Sequence, residues 1–173
     1  MPQVPQPNSP DGAPVSPRPH DATYWVIPGR FLAGEYPGAI AEAEARDRVR
    51  GYLAVGIDLF IDLTQAGEAG LKPYAGLLAE EARATGLAAE HRRMPIPDVS
   101  VTTPAHMREI LDAIDEALAA GRGVYVHCWG GIGRTGTVVG CWLVRHGWPG
   151  EQALVRVQAL FDTTRKAGRR SPE

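Results

Sequence analysis

The chain has 173 residues, with 18 lysines and arginines against 20 aspartates and glutamates and a net charge of −2 at neutral pH. That length suits one domain with a sizeable core, and the charge balance gives no drive towards nucleic acid or anionic membrane, so neither is expected as a partner. No cationic start leads into an apolar stretch, no apolar run is long enough to span a bilayer, and two cysteines, Cys128 and Cys141, fit a reducing cytoplasm better than a disulfide scaffold.

In chain order, residues 1–22 come first. Pro2, Pro5, Pro7, Pro10, Pro14, Pro17 and Pro19 alternate there with small and polar residues. Such a composition buries little apolar surface, so a disordered or extended tail is expected, followed by a single domain over 23–173. An α/β succession follows. Strands are predicted over 24–27, 31–33, 57–63, 88–94 and 124–127, and helices over 41–54, 74–85, 104–120, 134–146 and 149–161. In the third helix Met107, Ile110, Leu111, Ile114 and Leu118 form a 3.6-period stripe, which leaves Asp112, Asp115 and Glu116 to the solvent face. Thr103 and Pro104 mark its start as N-cap and first helical residue. Asp58 and Asp62 fall at strand ends or turns, and the loop after Leu63 puts Glu68 and Lys72 within reach of a pocket rim. Arg165, Lys166, Arg169 and Arg170 form a basic end expected to be solvated.

One stretch carries chemistry: His127-Cys128-Trp129-Gly130-Gly131-Ile132-Gly133-Arg134-Thr135. It joins a buried strand to a buried helix, so backbone N–H groups and the positive end of a helix dipole face its centre. The glycines let successive N–H groups converge, making an anion cradle of Trp129, Gly130, Gly131, Ile132, Gly133 and Arg134. Cysteine attacks as thiolate, a form that a helix N-terminus and a nearby cation favour. Arg134 offers two parallel donors to an oxyanion, and the Thr135 hydroxyl is placed to donate to the sulfur. A buried structural cysteine is the bland alternative. Zinc lacks further ligands at the required spacing, and a nucleotide-binding loop would need Gly-Lys-Ser/Thr. Asp98 sits in Met94-Pro95-Ile96-Pro97-Asp98, between an apparent strand and the Thr103 cap. A proton donor or an Asx-turn residue both fit that position.

The Cys-x5-Arg-Thr loop, preceded by histidine, resembles the signature of the cysteine-dependent protein tyrosine phosphatase superfamily. Its Trp-Gly-Gly-Ile-Gly interior is most similar to the compact dual-specificity branch, in particular to bacterial relatives of the kinase-associated phosphatases. Residues 25–34 and 56–63 resemble the opening segment and the first central strand of that branch. The resemblance implies a central mixed, mostly parallel sheet of about five strands flanked by helices. It implies hydrolysis of phosphate monoesters without metal or other cofactor, through a cysteinyl-phosphate. Cys128 would be nucleophile, Arg134 the phosphate clamp and Asp98 the general acid, with His127 orienting the loop. Phosphorylated proteins or small phosphomonoesters are the implied partners. A non-protein substrate such as an inositol phosphate, phosphoinositide or RNA 5′-phosphate, and a binding-only adaptor, are the alternatives. The resemblance also implies a continuation past Arg170-Ser171-Pro172-Glu173. The oligomeric state is not legible.

Overall fold

A computed structural model describes residues 16–172. The elements are β1 (Thr23–Ile27), β2 (Phe31–Gly34), α1 (Glu42–Ala54), β3 (Leu59–Asp62), α2 (Ala75–Ala84), β4 (Glu90–Arg93), α3 (Pro104–Ala119), β5 (Val124–His127), α4 (Gly133–Arg145) and α5 (Gly150–Phe161), with a short 3-10 turn at Glu68–Gly70. The strands form one sheet in the order β1-β2-β5-β3-β4, in which only the β1–β2 pair is antiparallel. The predicted mixed, mostly parallel five-stranded sheet is therefore the one observed.

Alternation along the strands divides the core in two. Phe31, Ala33, Leu59, Ile61, Val124 and Val126 pack with Ile110, Ile114, Val138, Trp142 and Val157 of α3, α4 and α5. Leu32, Phe60 and Tyr125 point the other way, onto Val49, Tyr52, Leu53 and Leu78 of α1 and α2. Both faces are covered, so the central strands read as continuous apolar runs.

The predicted elements are all present, with shorter bounds at β3 and β4. β4 lies at the sheet edge and carries Glu90, His91, Arg92 and Arg93. Such charged, half-exposed residues discourage further strand pairing. Thr103 caps α3, its hydroxyl accepting from the His106 N–H at 3.2 Å. Asp115, expected on the solvent face, is only half-exposed. It accepts from the indole N–H of the fully buried Trp142 at 2.8 Å and from Arg145 at 3.1 Å, joining α3 to α4. A buried indole needs such an acceptor.

The boundary expected at residue 23 moves back. The Trp25 indole donates to Ser16 O at 3.0 Å, and Arg18 donates to Thr23 O at 2.9 Å and Thr163 O at 2.8 Å. Ser16–Ala22 thus belong to the domain, because Arg18 and the indole find backbone acceptors that proline content does not reveal. The remainder of the predicted tail, residues 1–15, lies outside the described residues. Among the described residues no helix is long and apolar enough to cross a membrane.

The topology positions the site. β2, β3, β4 and β5 run parallel, so the loops leaving their C-terminal ends emerge on one edge of the sheet. Those loops carry Glu35, Glu68, Asp98 and Cys128.

Candidate active site

An open pocket of about 960 Å³ lies on that edge, lined among others by Asp98, Cys128, Trp129, Gly130, Ile132, Gly133 and Arg134. Cys128 follows the central strand directly and is 3% exposed. Trp129 stands half out of the pocket, and Val99 and Val101 on the Asp98 loop are exposed.

The loop's hydrogen bonding is one-sided. Its carbonyls are taken up: Trp129 O accepts from Tyr36 N at 3.0 Å, Gly130 O from Lys166 Nζ at 2.8 Å, and Ile132 O from Ser171 Oγ at 2.9 Å and Gly136 N at 3.0 Å. Among the described residues, the N–H groups of Trp129 through Arg134 donate to no protein acceptor. In a trans peptide the carbonyl and the next N–H point in opposite directions, so carbonyls tied outward leave N–H groups facing the other way. Gly131 makes this curl possible. Its φ is +71°, and a Cβ there would meet Gly34 C at 2.4 Å and Glu35 N at 2.6 Å. It packs against the end of β2 and does not itself line the pocket.

Arg134 is buried on the first turn of α4. Its Nη2 lies 2.5 Å from Glu68 Oε1 and 3.1 Å from Asp98 Oδ1, and its Nη1 donates to Glu68 Oε2 at 2.7 Å and to Ile96 O at 3.0 Å. Asp98 and Cys128 thus meet around the same guanidinium. The bond from Arg134 holds the Glu68 carboxyl below the usual carboxylate range. Glu68 is therefore a site residue whose role sequence reasoning understated, since only a pocket-rim position was foreseen. Lys72 is not at this pocket. Its ammonium donates to Ile40 O at 2.7 Å.

His127 is fully buried beneath the loop. Burial pushes its imidazole down to about 4, so it is neutral near pH 7. Nδ1 lies 3.3 Å from Cys128 O, and Nε2 lies 2.7 Å from Tyr74 Oη. A carbonyl only accepts, so Nδ1 carries the proton and the tyrosine hydroxyl donates to Nε2. Below them Asp62, fully buried, accepts from Thr64 N and Oγ1 at 2.9 and 2.6 Å and meets His91 at 3.0 Å and Arg93 at 3.1 Å. Burial would raise its carboxyl, but the His91 and Thr64 bonds outweigh that and hold it well below its ordinary value. Asp62 thus ends β3 and turns back onto Thr64, as expected of a strand-end residue, but it is also a buried hub, which was not foreseen. Thr135 also differs. Its hydroxyl lies 3.5 Å from Gly34 O and, among the described residues, makes no hydrogen bond to Cys128.

The basic end is not merely solvated. Arg165 Nη2 and Lys166 Nζ pair with the buried Glu35 at 2.7 and 2.8 Å, and Lys166 and Arg169 line the pocket. The Tyr125 hydroxyl holds Glu35 through its carbonyl. No local pattern could have shown this, because Glu35 and Lys166 meet only in the folded chain. Cys141 is a free thiol, as is Cys128, and burial raises the Cys141 thiol.

A cysteine and an arginine closing a loop between the middle strand of a parallel sheet and a helix define a class, the cysteine-dependent phosphatases. The profile of the family described as "Polymorphic toxin system, DSP-PTPase phosphatase" matches residues 41–148. The chain belongs to that family, and with it to the dual-specificity branch of the protein tyrosine phosphatase superfamily. It is 29% identical over 128 residues to the mouse dual specificity protein phosphatase CDC14B, covering 70% of this chain and 24% of that protein. Against human CDC14C the identity is 28%, over 26% of the relative. The chain therefore spans about a quarter of the length of these curated relatives. Among solved structures, Tk-PTP in its active form is 28% identical with a TM-score of 0.61, covering 84% of this chain and 88% of that one. A kinase associated phosphatase with its catalytic cysteine replaced by serine matches at TM-score 0.61 and 19% identity, with 79% of each chain covered, which is a likeness of fold.

Proposed function

We propose that the chain hydrolyses phosphate monoesters, with protein phosphotyrosine and phosphoserine/threonine as its substrates. The observation that carries this is the convergence of Cys128, Arg134 and Asp98 at one pocket, beside a loop whose N–H groups find no protein acceptor among the described residues. The substrate phosphate replaces Asp98 as partner of Arg134 Nη2, and the loop N–H groups take its remaining equatorial oxygens. The Cys128 thiolate attacks phosphorus, the ester P–O bond breaks, and the leaving oxygen takes a proton from Asp98. Asp98, now a carboxylate, accepts a proton from water as that water displaces the sulfur and releases inorganic phosphate. These residues supply every proton and charge the scheme needs, so it uses no metal or cofactor. Fold, loop and family favour it over a binding-only adaptor, since the nucleophile, the clamp and the acid are all retained.

A second reading has a specific observation behind it. The pocket lining carries Arg134, Lys166 and Arg169 against Glu35, which pairs with Lys166, and Asp98, an excess of cations that favours a substrate bearing further negative charge. A structure of PTPMT1 with PI(5)P, 21% identical to this chain, has the same fold. The deciding experiment measures phosphate release from an aryl phosphate, from matched phosphotyrosine and phosphothreonine peptides and from a short-chain phosphoinositide, for parent and Cys128→Ser. Turnover lost in the variant with a trapped thiophosphate in the parent is the expected result. Turnover retained by Cys128→Ser would overturn the mechanism, and a kcat/KM for the lipid far above that for the peptides would overturn the protein-substrate assignment.

A further inference from the structure

The segment after α5 returns to the site and bonds to carbonyls of the phosphate loop at two points. Lys166 Nζ donates to Gly130 O at 2.8 Å, and Ser171 Oγ, buried at 3% exposure, donates to Ile132 O at 2.9 Å. Both anchors are themselves fixed. Lys166 is held by the buried Glu35 carboxylate at 2.8 Å, and Ser171 N donates to Gln158 Oε1 on α5 at 2.8 Å. Gln158 Nε2 in turn donates to Arg169 O at 2.9 Å, which pins the middle of the segment.

We propose that Lys166 and Ser171 are positioning residues that set the loop's peptide planes for oxyanion binding. Peptide planarity is the link. Holding Gly130 O on Lys166 fixes the opposed direction of the Gly131 N–H, and holding Ile132 O on Ser171 does the same for the Gly133 N–H. The planes most in need of it are those around glycine, which rotates freely where a side chain would not. Trp129 O has a backbone donor, Tyr36 N, and Ile132 O has Gly136 N besides Ser171. Gly130 O has only Lys166 among the described residues, so Lys166 carries the larger effect. A bond from an ammonium also polarises the peptide it holds, strengthening that peptide's own N–H as a donor. Preorganised N–H groups need no reorientation when the oxyanion forms.

This inference rests on the phosphatase reading, yet its test does not depend on turnover. Calorimetric binding of tungstate is compared for the parent, Lys166→Met, Lys166→Arg, Ser171→Ala and Lys72→Met, alongside thermal midpoints. Lys72 also donates to a carbonyl, Ile40 O, but away from the loop, so it controls for loss of any lysine–carbonyl bond. Lys166→Met should weaken tungstate about tenfold and Ser171→Ala about threefold, as expected for loss of a charged and of a neutral hydrogen bond. Lys166→Arg should recover most of the affinity, and Lys72→Met should match the parent. Tungstate affinity within twofold of the parent in folded Lys166→Met, or an equal loss in Lys72→Met, would overturn the proposal. If Lys166→Met does not fold, Ser171→Ala decides, and unchanged affinity there would overturn it. A parent that binds tungstate without hydrolysing any phosphate ester would count against the phosphatase reading alone.

Discussion

Arg134 and Glu68 meet fork to fork, with Nη2 2.5 Å from Oε1 and Nη1 2.7 Å from Oε2. Glu68 sits on a turn just beyond β3, and the pairing fixes the guanidinium plane at the pocket wall. An arginine so held presents its remaining edge to a ligand in one orientation, which is the geometric condition for bidentate oxyanion recognition.

Removing that support should therefore act on binding and rate together. Glu68→Ala is expected to lower kcat/KM for an aryl phosphate roughly 10- to 100-fold, the scale of a misplaced clamp. Glu68→Gln keeps the shape and some of the hydrogen bonding, and should fall between the two. Kinetics of both variants equal to the parent would show that Arg134 orients itself.

Asp98→Asn keeps the size of the side chain and removes its transferable proton. The rate for an alkyl phosphate should drop by roughly 10²–10⁴, the range of general acid catalysis, and the loss should shrink for leaving groups that depart without a proton. A leaving-group series with one constant ratio between parent and variant would assign Asp98 to loop shape only.

Stability should depend on pH through His127 and Asp62. The folded imidazole sits near 4 against an ordinary value of 6.5, so between those values the unfolded chain binds the extra proton and stability rises with pH. Asp62 is held below its ordinary value of 3.8, so its stabilisation is full above that value and is lost as pH falls below it. Urea unfolding from pH 4 to 8 should show ΔG climbing up to about pH 6.5 and then levelling. A profile without that climb would contradict a neutral, buried His127.

Gly131→Ala forces a side chain into the left-handed region and against the backbone of Gly34 and Glu35. Backbone cannot yield as a flexible side chain would. The expected cost is on the order of 2–4 kcal/mol, at the severe end for single substitutions. Chemical denaturation measures it. A variant as stable as the parent would mean that the loop has an alternative path past β2.

How much of this was legible in the sequence follows from the range of the interactions. β5, α4 and the loop between them are local, so apolar runs, glycines and the Cys128–Arg134 spacing pointed to them directly. Thr103 and Pro104 are likewise a cap written in adjacent residues. Glu68 reads only as a pocket-rim residue because its partner is 66 positions away. Lys166 looked solvated because Glu35 is 131 positions before it in the chain. The pattern places Asp62 at a strand end, where it lies, but the burial on both faces of β3 and the donors His91 and Thr64 that make it a hub are set by packing and not by spacing. The Thr135 hydroxyl, expected at the sulfur, turns to Gly34 O, a direction fixed by how α4 packs on β2 and invisible to spacing.

The closing strap also fixes an order of events in synthesis. The chain leaves the ribosome N-terminus first, and β1 to β5, the loop and α4 are all available before residue 150. Lys166 and Ser171 follow α5, and with them come the bonds to Gly130 and Ile132. Arg165 N and Arg18 also join the two ends of the domain, through Asp21 O and Thr163 O. A nascent chain can thus complete its sheet and bury its core while the cradle around Cys128 is still unbraced, so that structural maturity precedes maturity of the site.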